Sequence, residues 1–236
     1  MSAVAEVMKE LEQLGSPQTL KTLRRHGADG PMFGVKVGDL KPIAKRIRED
    51  QTLALALWDT GNSDARYLAG LAADGSKMTL KQLDNWAKTA WWHMLSEYSV
   101  PFVASEHPQA LALAKKWIGA KPISLQCSGW TTYAATLSVR ADADLDLDEI
   151  EELLLVVERS LATAPDRVKY VMNGFVIAVG CYVKPLLAKA KATAKRIGVV
   201  HVDVGDTACK VPLAVDYIAK AEQAKRVGQK RKTAKC

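Results

Sequence analysis

Apolar residues in this chain recur at helical spacing and almost nowhere alternate as a strand would. Ile150, Leu153, Leu154, Val157 and Leu161 follow i, i+3, i+4, i+7, i+11, one stripe of an amphipathic helix behind an acidic first turn. Leu80, Leu83, Trp86, Ala90 and Trp91 predict a second helix. Val168, Val171, Met172, Phe175 and Val179 predict a third, introduced by Pro165, where a proline removes no intrahelical bond. Pro17, Pro42, Pro101, Pro108, Pro122, Pro165, Pro185 and Pro212 punctuate the chain, and helices joined by short turns are expected between and around them. Two stretches fall outside the pattern. Gly27 to Gly38 is a glycine-rich connection centred on Phe33-Gly34-Val35. Val199 to Cys209 alternates Val200, Val202 and Val204 with polar residues around Gly205-Asp206, which predicts a short extended piece or hairpin. With Asp206 in its turn, that piece is expected to dock the C-terminal helix.

About a dozen helices in 236 residues, with no strand series, predict an all-α fold. A HEAT-like or armadillo-type solenoid of antiparallel helix pairs fits this better than a four-helix bundle. An irregular all-α globule is the alternative, because no clean sequence period is present; HEAT-like repeats share shape more than letters. Residues 1–224 are expected to form one such domain, and 225–236 a disordered basic tail.

Charge is uneven along the chain. From Lys184 to Cys236 there are 13 Lys and Arg against 4 Asp and Glu, a net +9, whereas the preceding residues carry −2. A local basic excess is the footprint of a polyanion-binding face. In Ala141 to Glu158 eight Asp and Glu stand without any Lys or Arg, so that helix is expected to face away from nucleic acid. The longest uncharged stretch of the apolar C-terminal half, Tyr170 to Val183, is too short to span a bilayer, which takes ~20 residues. Charges at Glu6, Lys9, Glu10 and Glu12 exclude a signal-peptide core, and the cytoplasm is the expected compartment. Cys127, Cys181, Cys209 and Cys236 lack C-x-x-C or His spacing, so neither a zinc site nor a disulfide framework is indicated and buried or free thiols are expected; no metal and no cofactor is expected.

Three groups of residues carry a family resemblance. The first is Phe33-Gly34-Val35 followed by Asp39 to Ile47; the second runs from Trp91-Trp92-His93 through Ser96, Glu97 and Val100-Pro101 to His107-Pro108 and Lys116-Trp117-Ile118. The third is Val202 to Pro212. Over roughly residues 20 to 220 the chain resembles the DNA alkylation repair family, the AlkD-like group of HEAT-like DNA glycosylases. That resemblance implies a solenoid clasping duplex DNA, and in its active members excision of N3- and N7-alkylated purines. It also implies site positions. Trp92 matches an aromatic of the pattern, and Phe175, after Gly174, keeps an aromatic where the family has Trp. The family's aspartate, four residues after the second Trp, falls on Ser96, and its arginine, after a Leu-Gln pair, falls on Cys127. Ser96 and Cys127 therefore depart from the pattern. Glu97 could replace the aspartate only if the helix were rewound there, since one residue rotates a side chain by ~100°.

Each feature has a plainer reading beside it. Trp91 and Trp92 could both be packing residues, and His93 and His107 ordinary surface or capping residues. The small run Ser124, Cys127, Ser128, Gly129, Thr131 and Thr132 fits close helix packing or a low floor for a ligand. Lys41, Lys45 and Arg46, together with a strip of Lys184, Lys189, Lys191, Lys195 and Arg196, are the candidate phosphate contacts. The favoured function is non-cutting recognition of damaged or distorted duplex DNA by a monomer. The alternatives are an active alkylpurine glycosylase and a protein-binding helical scaffold.

Overall fold

The computed structural model describes residues 2–205 and 207–235. Helices dominate, and no strand occurs among the described residues. The chain divides into two compact units: residues 1–108 with 204–208 and 235–236, and residues 109–203 with 209–234.

The first unit holds α1 (Ala3–Leu14), α2 (Pro17–Arg25), α3 (Val37–Ile47), α4 (Gln51–Asp59), α5 (Ser63–Ala72), α6 (Leu80–Thr89) and α7 (Val100–Ala104). Side-chain caps set where most of them start. Ser2, Ser16, Asp50 and Asn62 each accept a backbone N–H in the following turn, and Thr79 with Gln82 forms a reciprocal capping box before α6. Stacked Trp58 and Trp86, 4.1 Å between ring centroids, fill the core; the Arg66 guanidinium lies 5.2 Å over Trp58. Phe33-Gly34-Val35 is a structural clamp. The buried Asp64 carboxylate accepts the N–H groups of Phe33 (2.6 Å), Gly34 (3.1 Å) and Val35 (3.1 Å). Gly34 has φ +82° and packs on the Leu20 backbone, so no other residue fits there.

The second unit holds α8 (Ala110–Ile118), α9 (Ile123–Val139), α10 (Leu147–Ser160), α11 (Asp166–Tyr182), α12 (Leu187–Ile197) and α13 (Ala214–Gln223). Helix α9 packs between α8 and α11, and α11 in turn contacts α10, α12 and α13, each connected helix lying against its neighbour. A Cβ on Gly129 would come within 2.5 Å of the Ile118 nitrogen, so the small face of α9 exists to let α8 approach. This decides for helix packing over a ligand floor.

Several expectations need correction. Pro42 lies inside α3, and Pro101 inside a continuous helical run, so neither separates two helices. Of the two forms expected over 199–209, no hairpin appears: residues 199–205 and 207–213 belong to neither helix nor strand, and Asp206 lies outside the described residues. Instead, the Asp203 N–H donates to Asp166 Oδ2 at 2.8 Å, and Asn173 Nδ2 donates to the Pro212 carbonyl at 2.8 Å. The tail expected to be disordered is packed. Lys230 Nζ donates to the carbonyls of Leu137 (2.9 Å) and Tyr182 (2.6 Å) and pairs with Asp142 (2.8 Å). Gly228 N–H donates to the Cys181 carbonyl, and in the first unit Lys235 pairs with Glu106 at 2.9 Å. Charge density alone suggested a solvated arm; carbonyls left over at helix ends hold it down instead.

Candidate nucleic-acid interface

In the first unit the candidate residues lie around one rewound helix. Trp91 and Trp92 occupy a bend rather than a helix, which lets their rings stack at 6.1 Å and 22° although they are adjacent in sequence. The Trp92 carbonyl accepts the Ser96 N–H at 3.0 Å, so Ser96 does sit one turn beyond Trp92. From Leu95 to Ser99 the turn then widens to a π-helix, with the Val100 N–H bonded to the Leu95 carbonyl. Pro101 explains the widening: it has no N–H to give the Glu97 carbonyl four residues back, and an added residue in the turn relieves the clash. Ser96 (4% exposed) and Glu97 (2% exposed) are both buried, as are Leu95, Ser99 and Val100 around the same segment. The condition for Glu97 to leave the face of a regular helix is thus met, and a buried carboxylate lies one residue from the expected place.

Trp92 itself is 6% exposed, and its indole N–H donates to the His26 carbonyl at 3.0 Å. His26 ends α2, where Arg24 donates to the carbonyls of Ala28 (2.8 Å) and Gly30 (3.1 Å). A Cβ on Gly30 would collide with the Trp91 ring. The Trp pair is therefore the packing base of the 26–30 loop. Above it, Lys21 and Arg25 are exposed on a helix without a single carboxylate. These cations were missed at the sequence level, although residues 13–28 carry Lys21, Arg24 and Arg25 and no Asp or Glu. On α3, Lys41 and Lys45 are exposed as expected, whereas Arg46 is paired with Glu10.

In the second unit, two expected site residues prove to be core. Cys127 is 1% exposed on α9; Phe175 is fully buried, its ring 5.1 Å from Trp130 and 5.6 Å from Tyr133. Phe175 therefore offers no aromatic face to a ligand. Tyr133 donates to Glu149 at 2.6 Å, and burial together with that carboxylate pushes its phenol far above the ordinary range.

The α12 strip is largely neutralised from within. Lys189 pairs with Glu151; Arg196 Nε donates to Glu158 at 2.8 Å; and Lys191 pairs with Glu222 of α13 at 2.8 Å. The Arg196 hydrogen bond, with a further one from Thr193, holds the Glu158 carboxyl below its usual range. The acidic helix α10 thus packs against α12. Lys184 and Lys195 are exposed and their ammonium groups make no ion pair among the described residues.

These helices and their pairing define an all-α, HEAT-like protein. The model of the DNA alkylation repair enzyme family matches residues 7–194, and this chain belongs to that family. Uncharacterized proteins of Listeria monocytogenes and Listeria innocua are each 37% identical over 218 residues, covering 90% of this chain and 94% of theirs. A solved structure with 36% identity, a TM-score of 0.90 and complete coverage of both chains represents a new family of proteins related to the HEAT-like repeat DNA glycosylases, with affinity for branched DNA structures. No single helix among the described residues is long and apolar enough to cross a membrane.

Proposed function

We propose that this protein is a monomeric DNA-binding protein that recognises branched or otherwise distorted duplex without excising bases. The observation that carries this reading is the full-length similarity to a structure whose family has affinity for branched DNA. Exposed Lys21, Arg25, Lys41 and Lys45 in one unit, with Lys184 and Lys195 in the other, supply phosphate contacts. Base excision needs an anion beside the developing sugar cation, and losing such a preorganised partner costs roughly 100- to 1000-fold. Ser96 supplies none, and Cys127 is buried in the core.

One observation favours a second reading, an active alkylpurine glycosylase: Glu97 is a buried carboxylate within the π turn, one residue beyond Ser96. Incubation with alkylated DNA separates the two. Non-cutting recognition requires no release of 7-methylguanine or 3-methyladenine, and unchanged DNA affinity in Glu97→Gln. Efficient release by the unaltered protein, abolished in Glu97→Gln, would establish the second reading instead.

A further inference from the structure

The packed tail borders an open basic cavity of about 570 Å³ in the second unit, between the end of α11, the end of α13 and residues 226–231. Its wall carries Lys220, Arg226, Lys230 and Arg231, with Tyr182 and Gln229, and no carboxylate. Lys230 is committed to two carbonyls and Asp142, so it anchors the strap. The other three cations are available. The guanidinium groups of Arg226 and Arg231 make no hydrogen bond or ion pair among the described residues; Lys220 Nζ rests 5.3 Å over the Tyr217 ring. Three like charges around one concavity repel each other unless an anion sits among them. Two planar guanidinium forks match a tetrahedral oxyanion in a way that ammonium groups do not.

We propose that this cavity binds a phosphate group. It is open to solvent, which leaves room for a phosphate that arrives with part of a larger carrier. Lys220 and Glu222 are two residues apart on α13, hence ~200° around it, and Glu222 faces Lys191 of α12. The cavity and the α12 cations therefore lie on opposite sides of α13. A nucleic-acid backbone is the carrier if the DNA-binding reading holds; the phosphate site stands without it.

Cys181, a half-buried thiol in the cavity wall, reports occupancy directly. Its alkylation by iodoacetamide is followed by peptide mass spectrometry on the full chain, in sodium chloride, in inorganic phosphate of equal ionic strength, and with a four-way DNA junction. Inorganic phosphate, the junction or both should slow Cys181 several-fold relative to chloride, and Arg226→Gln/Arg231→Gln should remove the protection. Both guanidinium groups are exposed and unbonded, and the backbone hydrogen bonds of Arg226 to Ala221 and of Arg231 to Ser138 do not need them, so the double variant keeps its fold. Protection by phosphate alone assigns a free phosphate ligand, whereas protection by the junction assigns a backbone phosphate. If neither slows the reaction, or if protection survives undiminished in the double variant, the cavity does not bind phosphate. Failure of the protein to bind any DNA would leave the phosphate arm of the experiment intact.

Discussion

Asp64 holds the glycine turn of the first unit in place. One carboxylate satisfies three consecutive N–H groups of the glycine turn, and each buried donor left without a partner costs about 1–3 kcal/mol. Asp64→Ala should therefore destabilise the protein by about 3 kcal/mol or more, read from denaturant midpoints at constant m. A loss below about 1 kcal/mol would mean that water replaces the carboxylate there. Phe33-Gly34-Val35 stood out in the sequence as a motif, but its partner did not, because Asp64 lies some 30 residues away with no pattern linking them. Trp92 and Phe175 mislead in the opposite sense. Aromatic identity at a family position is legible in sequence; whether the ring faces a cleft or a core is set by packing against Trp91, Trp130 and Tyr133.

At the scale of elements, sequence spacing located α6, α10 and α11, because capping residues and a proline at the N-cap of α11 mark their starts and apolar spacing marks most of their buried faces; the α6 stripe overreached, since Leu80 is exposed and Trp91 lies beyond the helix end. It missed how α12 is used. The basic stripe was visible, but Glu151, Glu158 and Glu222, which neutralise three of its members, come from segments 31 to 38 residues distant. Replacing Lys184 and Lys195 by Ala should therefore lower DNA affinity and flatten the salt slope by about 1 per lysine. Replacing Lys189 and Lys191 should change the slope less, because those charges are already matched; an equal change in both pairs would contradict this. The extended segment leading to α13 depends on Asp166. The Asp203 N–H, and secondarily Lys169, holds that carboxyl below its usual range. A depressed folded pKa means that the stabilisation is complete above the ordinary Asp value of ~3.9 and is lost as pH falls through the lower folded value. The exchange protection factor of the Asp203 amide should accordingly drop in acid, and in Asp166→Ala it should be low and flat with pH. Protection independent of pH in the unaltered protein would remove Asp166 from that role.

For the whole molecule, the uneven charge read from the sequence survives in altered form. The C-terminal excess of +9 is divided among internal ion pairs, a tail anchored by Lys230 and a smaller set of exposed cations, joined by Lys21 and Arg25 at the other end of the chain. On the proposed reading, these exposed cations hold a DNA shape, and the lack of an anion at Ser96 accounts for the absence of base excision. The most direct test is the equilibrium affinity for a four-way junction and for a linear duplex containing the same sequences, each measured by fluorescence anisotropy across a salt series. The junction is expected to bind more tightly at every salt concentration, with both affinities falling linearly in log salt. Equal affinity for the two, or affinity indifferent to salt, would contradict recognition of branched DNA through its phosphates.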